Sequence, residues 1–253
     1  LAPDNFQETP SPVVADRTAP TNLGLQLLSL LSAFDLGILP RRDMIARLER
    51  ALDTMSSMRR LRGHFYNWYR LSDLGVLEPP YISTVDSGNL AGHLIAIAAA
   101  CREIAEGAHD QPEEAAKLAT LGERTRAMAM EMDFTMLFDE ARMLFAIGYD
   151  ERANRLDASS YDLLASEARL ASFLAVAKGD APREHWFRLG RSLTAHAGAT
   201  ALVSWSGSMF EYLMPVIVMP SSPYPLLDQT HYAAVKRQIA YARSRRVPWG
   251  DRK

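Results

Sequence analysis

The feature of this sequence that most restricts its fold is an alternation of two kinds of helix. Leu23, Leu25, Leu27, Leu28, Leu30 and Leu31 make the first helix apolar nearly all round, a pattern that belongs to an inner helix covered on several sides. From Arg42 to Met58, Met44, Ile45, Leu48, Leu52 and Met55 fall on one face, with Arg and Glu opposite, as in an outer helix covered on one side. The pair recurs. Ser87 to about Glu106 is apolar and alanine-rich, and Pro112 to Met132 carries charges throughout with a single apolar stripe. Further on, Leu163 to Ala177 reads as another buried helix and Met209 to Met219 as a shorter apolar element. Pro220 to Pro225 reads as a turn, and Leu226 to about Arg243 as a last amphipathic helix. Short apolar runs flanking a turn at Phe138–Phe145 predict a small β-hairpin.

A cluster of Ser, Thr, Asp and Asn precedes each buried element, at Thr18–Asn22, Thr84–Asn89, Asp157–Asp162 and Ser204–Ser208. Plain N-capping accounts for most of the small residues; Thr21 or Asn22 would cap the first helix and Asp157–Asp162 the Leu163 helix. Polar loop, inner helix, outer helix is the logic of an α/α toroid, in which helix hairpins stack side by side. At one end of the inner row, loops and helix N-termini then converge, with free N–H groups and a positive dipole end. The expected fold is therefore all-α, a single domain over residues 1-253. Residues 1-20, with Pro3, Pro10, Pro12 and Pro20, run extended over the surface, and residues 21-253 form helical hairpins.

Composition excludes more than it selects. The chain is 48% hydrophobic and 23% charged, ordinary for a globular protein. A net charge of -2 is not a nucleic-acid footprint. Cys101 stands alone, so neither an intrachain disulfide nor a cysteine metal site is expected, and it reads as a small core residue. No apolar run reaches the roughly 18 residues of a membrane span. There is no signal peptide and the first residue is Leu, which reads as a soluble piece of a longer polypeptide. Phosphate loops, Gly-x-Ser-x-Gly and His-Glu-x-x-His are missing, and the six histidines lack ligand spacing. The expectation is no metal and no cofactor.

What remains is carboxylate chemistry among aromatic rings. His64-Phe65-Tyr66-Asn67-Trp68-Tyr69 crowds rings and hydrogen-bonding tips together, and Asp86, Asp157, Tyr161 and Trp205 accompany the polar clusters. Such a mixture suits a sugar, with its apolar ring faces and hydroxyl edges. His64, Asn67, Trp68, Asp157, Tyr161 and Trp205 are the candidate substrate-binding residues. Glycoside cleavage or transfer needs two carboxyls, one a proton donor and the other a base or nucleophile. Glu211, between Phe210 and Tyr212, ranks first, because burial among rings would let it keep its proton; the plainer reading pairs it with Arg169 or Arg191. Asp86 is the second catalytic candidate, with an N-cap as its plainer reading. Asp162 and Glu167 are weaker.

Four long motifs carry a family resemblance: Arg62–Tyr69, Tyr81–Leu94, Arg155–Arg169 and Ser204–Pro215, joined by Pro3–Glu8 and Arg17–Asn22. They resemble the glucoamylase-like middle region of cyclic β-1,2-glucan synthases of the NdvB type, over essentially the whole chain. The resemblance implies an (α/α)6 toroid within a very large, membrane-associated bacterial enzyme of the inner membrane, between a glycosyltransferase and a phosphorylase-like region. It also implies cleavage and re-joining of β-1,2-glucan chains to close a ring. The helices read here are about half of the twelve such a toroid would have. After Val247–Gly250 the family continues with a segment containing serine and glutamate, where this sequence has Asp251-Arg252-Lys253.

Two readings follow. One is a hydrolase or transglycosylase domain acting on β-1,2-glucan. The other is a non-catalytic module that holds glucan or packs against the other domains of the synthase. An incomplete ring would expose apolar flanks of inner helices, through which a homodimer could form.

Overall fold

The computed structural model describes residues 1–196, 199–219 and 225–249. Among them are eight α-helices: α1 (Pro20–Asp35), α2 (Arg41–Ser57), α3 (Thr84–Gly107), α4 (Pro112–Glu131), α5 (Arg169–Lys178), α6 (Glu184–Arg188), α7 (Met209–Leu213) and α8 (Leu226–Arg245). The turn expected at Pro220–Pro225 lies, apart from Pro225, outside the described residues.

The alternation of helix type translates into two rows. α3 packs against α1, α4 and α5, while α2 packs against α1 and α4. Thus α1, α3 and α5 form an inner row backed by α2 and α4. The core lies between the rows, where Leu23 and Leu27 meet Met44, Leu48 and Leu52, and Leu94 and Ile97 meet Leu118 and Leu121. In α1 the burial is less than its sequence suggested: Leu25, Leu28 and Leu30 remain half-buried, its main helical packing among the described residues being with α3 and α2.

Several starts move. Thr21 and Asn22 do not cap α1, which begins at Pro20 with Ala19 as an N-cap lacking a side-chain bond; proline is suited to that first position. α3 begins three residues earlier than expected, with the Ser83 hydroxyl accepting from Asp86 N. The largest correction concerns the buried helix predicted over Leu163–Ala177. It begins only at Arg169, since Ser166 sits at φ 51°, a left-handed conformation that breaks a right-handed helix. An apolar run alone does not show where a helix starts inside it.

The helix-rich expectation holds, but there are more small sheets than the one hairpin expected. Phe138–Asp139 pairs with Leu144–Phe145, the predicted hairpin. The first twenty residues fold back as a hairpin, Phe6–Gln7 on Val13–Val14, and Arg17–Thr18 pairs with Tyr69–Arg70. A three-stranded sheet joins Tyr81–Ser83, Gly148–Asp150 and Arg155–Leu156. Leu193–His196 pairs with Ala199–Leu202.

Close approach of α3 and α5 depends on Gly88. A Cβ there would lie 2.4 Å from Ala171 Cβ and 2.6 Å from its Cα and N, and backbone cannot yield as a side chain can. Gly88→Ala is expected to cost about 3 kcal/mol of overpacking, offset by about 1 kcal/mol of helix propensity. Melting should therefore fall by roughly 4–8 °C. Gly107, at the far end of the same helix, has nothing within 4 Å of such a Cβ, so Gly107→Ala is expected to leave the melting temperature unchanged or raise it. Thermal melts of both variants check the contrast.

Candidate functional site

The starts of the inner helices converge on a cleft of about 330 Å³. Thr21 comes from α1, Ser83 and Asp86 from the start of α3, and Ser166 and Glu167 from the turn before α5. Trp68 and Tyr161 supply rings, and Phe210 reaches it from α7. A larger hollow of about 680 Å³ lies between α3 and α4, lined mainly by alanines such as Ala98, Ala99 and Ala115 with Arg102 and Glu106. It is lined by no Phe, Tyr or Trp, so the mixture of acids and aromatic rings suited to a sugar belongs to the smaller cleft.

Asp86 is the third residue of α3, not its cap. Its Oδ1 accepts from Thr21 Oγ1 at 2.6 Å, and Thr21 Oγ1 in turn accepts from Asn89 Nδ2 at 3.1 Å. With the Asn67 amide oriented to satisfy both its ends, Nδ2 donates to Asp86 Oδ2 at 3.0 Å and the oxygen accepts from Trp68 Nε1 at 2.9 Å. Asn67 therefore acts on the cleft through Asp86 and Trp68. Burial holds the Asp86 carboxyl above its ordinary range, against the lowering effect of the Thr21 and Ser83 hydrogen bonds.

Glu167 is 4% exposed and accepts from the Ser166 hydroxyl at 2.9 Å. Burial raises it too, and the negative charges of Asp86 and Glu211 push the same way. Two carboxyls that favour their protonated forms thus share one cleft. Glu167 ranked as a weaker candidate in the sequence, with a solvated or capping role as its plainer reading; the motif Ser166-Glu167-Ala168-Arg169 was the signal available.

Glu211 is buried, as expected, but the expectation that it keeps its proton is overturned. Its Oε2 accepts from Ser204 Oγ at 2.8 Å, Ser206 Oγ at 2.7 Å and Ser206 N at 3.0 Å. Oε1 accepts from Ser166 N at 3.1 Å. Burial pulls its pKa up, yet these donors together hold it below the ordinary range. Nor does its carboxylate pair with Arg169 or Arg191. The Arg169 guanidinium donates instead to the backbone carbonyls of Glu211 and Tyr212, at 2.9 and 2.6 Å. Arg191 bonds the carbonyls of Leu189 and Trp186.

The remaining candidates divide. Trp68 lines the cleft with the Arg17 guanidinium 4.4 Å from its ring centre. Tyr161, 8% exposed, faces the cleft and lies 5.8 Å from Trp205, ring to ring. Trp205 is largely exposed and extends the same aromatic surface outward. Asp157 caps no helix; it accepts from Ser159 N and Tyr81 Oη, outside the cleft wall. His64 has no access to a ligand. It is fully buried, bonded through Nδ1 to Ser87 Oγ at 2.9 Å, with Phe134 edge-on. Asp4, Asn22, Ser83 and Phe210 line the cleft without having been singled out by sequence. Among the described residues no helix is long and apolar enough to cross a membrane.

No protein-family model matches the chain. It is 36% identical, over 365 residues, to the cyclic beta-(1,2)-glucan synthase NdvB of Rhizobium meliloti (strain 1021), covering 99% of this chain and 13% of that protein. The backbone is similar to an endo-β-1,2-glucanase of Chitinophaga pinensis solved with sophorotriose and glucose. There the TM-score is 0.73 at 12% identity, over 91% of this chain and 58% of that one. An endo-β-1,2-glucanase mutant of Talaromyces funiculosus solved with β-1,2-glucan gives 0.75 at 12% identity, over 93% and 55%. A putative glucoamylase of Bacteroides caccae gives 0.73 at 16% identity, over 99% and 62%. The backbone thus has the glucoamylase-like fold, with small sheets added, and in sequence the chain belongs with one segment of the NdvB-type cyclic β-1,2-glucan synthases.

Proposed function

We propose that this chain is a β-1,2-glucan-handling domain of such a synthase, cleaving glucan chains and re-joining them to close a ring. Two carboxyls held above their ordinary range, Asp86 and Glu167, beside the rings of Trp68 and Tyr161 in one cleft, are the observation that carries this reading. Glu167 is the proton donor to the leaving glycosidic oxygen: burial, with the charges of Asp86 and Glu211, raises its pKa above the ordinary carboxylate range. Asp86, the second carboxyl of the cleft, is in its ionised form the base or nucleophile of the pair. Glu211, first in the sequence ranking, is already ionised and saturated with donors, which suits support better than proton donation.

The 253 residues form one unit, about half of an (α/α)6 toroid, its two rows matching a little over half of each solved relative. The parent synthase, in the bacterial inner membrane, supplies the other domains. The half-buried flank of α1 is where one of them, or a second copy of this chain, would pack.

The test is mass spectrometry of products after incubation with linear β-1,2-glucan. Shortened or cyclised chains are expected. A second reading, a glucan-holding module without turnover, is favoured by one detail: both Asp86 oxygens are already engaged, by Thr21 and Asn67. Binding without products would select that reading, and neither binding nor products would overturn both. In either case Trp205→Ala is expected to weaken glucan affinity about tenfold, the scale of one lost aromatic contact. Titration calorimetry with linear β-1,2-glucan measures it.

A further inference from the structure

Three links clamp the segment 204–212 to the turn 164–169. Trp205 N donates to Leu164 O at 3.1 Å. Arg169 caps the carbonyls of Glu211 and Tyr212. The third is Ser166 N on Glu211 Oε1. Of these, the last acts on the one residue of the turn in a strained conformation, since a serine at φ 51° costs on the order of 1 kcal/mol or more and persists only where its surroundings over-determine it.

The Glu211 carboxylate is itself fixed. It closes a capping box at the start of α7, with Ser208 Oγ accepting from Glu211 N and Ser208 N donating to Oε2. The hydroxyls of Ser204 and Ser206 complete the set on Oε2. Oε1 accepts from Ser206 N of its own loop at 3.3 Å and reaches out of that loop to Ser166 N at 3.1 Å. On the other side of Ser166, its hydroxyl holds Glu167 Oε2, and Glu167 lines the cleft with Asp86. A chain of contacts runs from an anchored anion, through a strained backbone, to the acid in the cleft.

We propose that Glu211 is a positioning residue, whose carboxylate holds the left-handed turn at Ser166 and so aims Glu167 into the cleft. The claim deepens the glucan reading and rests on it for the role of Glu167. It differs from a catalytic role for Glu211, which would need its carboxyl to touch substrate.

Glu211→Asp separates the effects, because it keeps the charge while withdrawing the carboxylate by one methylene from Ser166 N. In the folded variant the Glu167 carboxyl, followed by its 13C resonance against pH, is expected to titrate closer to the ordinary carboxylate range. Affinity for linear β-1,2-glucan is expected to persist, because the rings of the cleft are untouched, so the effect is read in the titration rather than in binding. A Glu167 titration identical to that of the parent protein overturns the proposal. Should the variant fail to fold, the parent protein decides: a Ser166 amide held by a buried carboxylate exchanges its hydrogen slowly, and exchange at the rate of an exposed loop overturns the assignment. If the parent protein binds no β-1,2-glucan, the glucan reading fails, while the titration and the exchange rate still judge the positioning.

Discussion

Glu167→Gln is expected to lower β-1,2-glucan turnover at least a hundredfold and to leave the protein as stable as before or more so. The two effects share one cause. Burial and the neighbouring Asp86 and Glu211 charges raise the Glu167 pKa in the folded chain, so above that pKa the ionised group costs folding free energy. An amide of the same shape removes that cost. It also removes the proton that the leaving oxygen needs, and a positioned general acid contributes roughly 10²–10⁴-fold. Glucan binding should largely persist, because the rings are untouched. Turnover, affinity and melting temperature measured together check the pattern. A variant with undiminished turnover would remove Glu167 from the chemistry and return attention to Asp86. One in which all three quantities fall together would point to a packing role.

Acid is expected to unfold the protein well above the range in which carboxylates alone would titrate. His64 and His93 are fully buried, and burial lowers both to a pKa of about 4. His64 Nε2 and both ring nitrogens of His93 have no protein partner, and His93 fills the space that the missing side chain of Gly24 leaves between α1 and α3. The unfolded chain takes up these protons near pH 6.5 and the folded chain only near 4. Their contribution to stability is thus complete above pH 6.5 and is lost as pH falls to about 4. The loss is about 3 kcal/mol for each histidine. Asp86 and Glu167 work the other way, since their raised folded pKa values favour the folded state as acid is added. His185 and His231 shift in the same direction as the first pair. Denaturant unfolding followed from pH 7 to 4 should show stability falling with a slope near two protons. His93→Met should reduce that slope by about one. An unchanged slope would mean that His93 takes up its proton in the folded state without cost.

The cleft also shows how ionisation escapes a sequence reading. Glu211 has apolar neighbours on both sides in the chain, and desolvation does act on it. Yet four of its hydrogen-bond donors come from a serine loop and one from a turn 45 residues earlier, and together they reverse the sign. Glu167 has the opposite history. In the sequence a solvated or capping role was its plainer reading, yet the turn before α5 buries it in the cleft beside Asp86. His64 looked like a sugar contact from its aromatic neighbours, but it is fully buried, with Ser87 on Nδ1 and Phe134 edge-on.

The alternation of inner and outer helices, the extents of α1 to α4 and α8 to within a few residues, and the convergence of polar helix starts with Trp68, Asp86 and Tyr161 were legible along the chain. These follow from periodicity and local turn chemistry, which are properties of neighbouring residues. Where α5 begins, which acids have raised pKa values and which aromatic residues face the cleft come from packing alone. Each of those depends on donors, charges and packing surfaces that the chain brings together from distant positions.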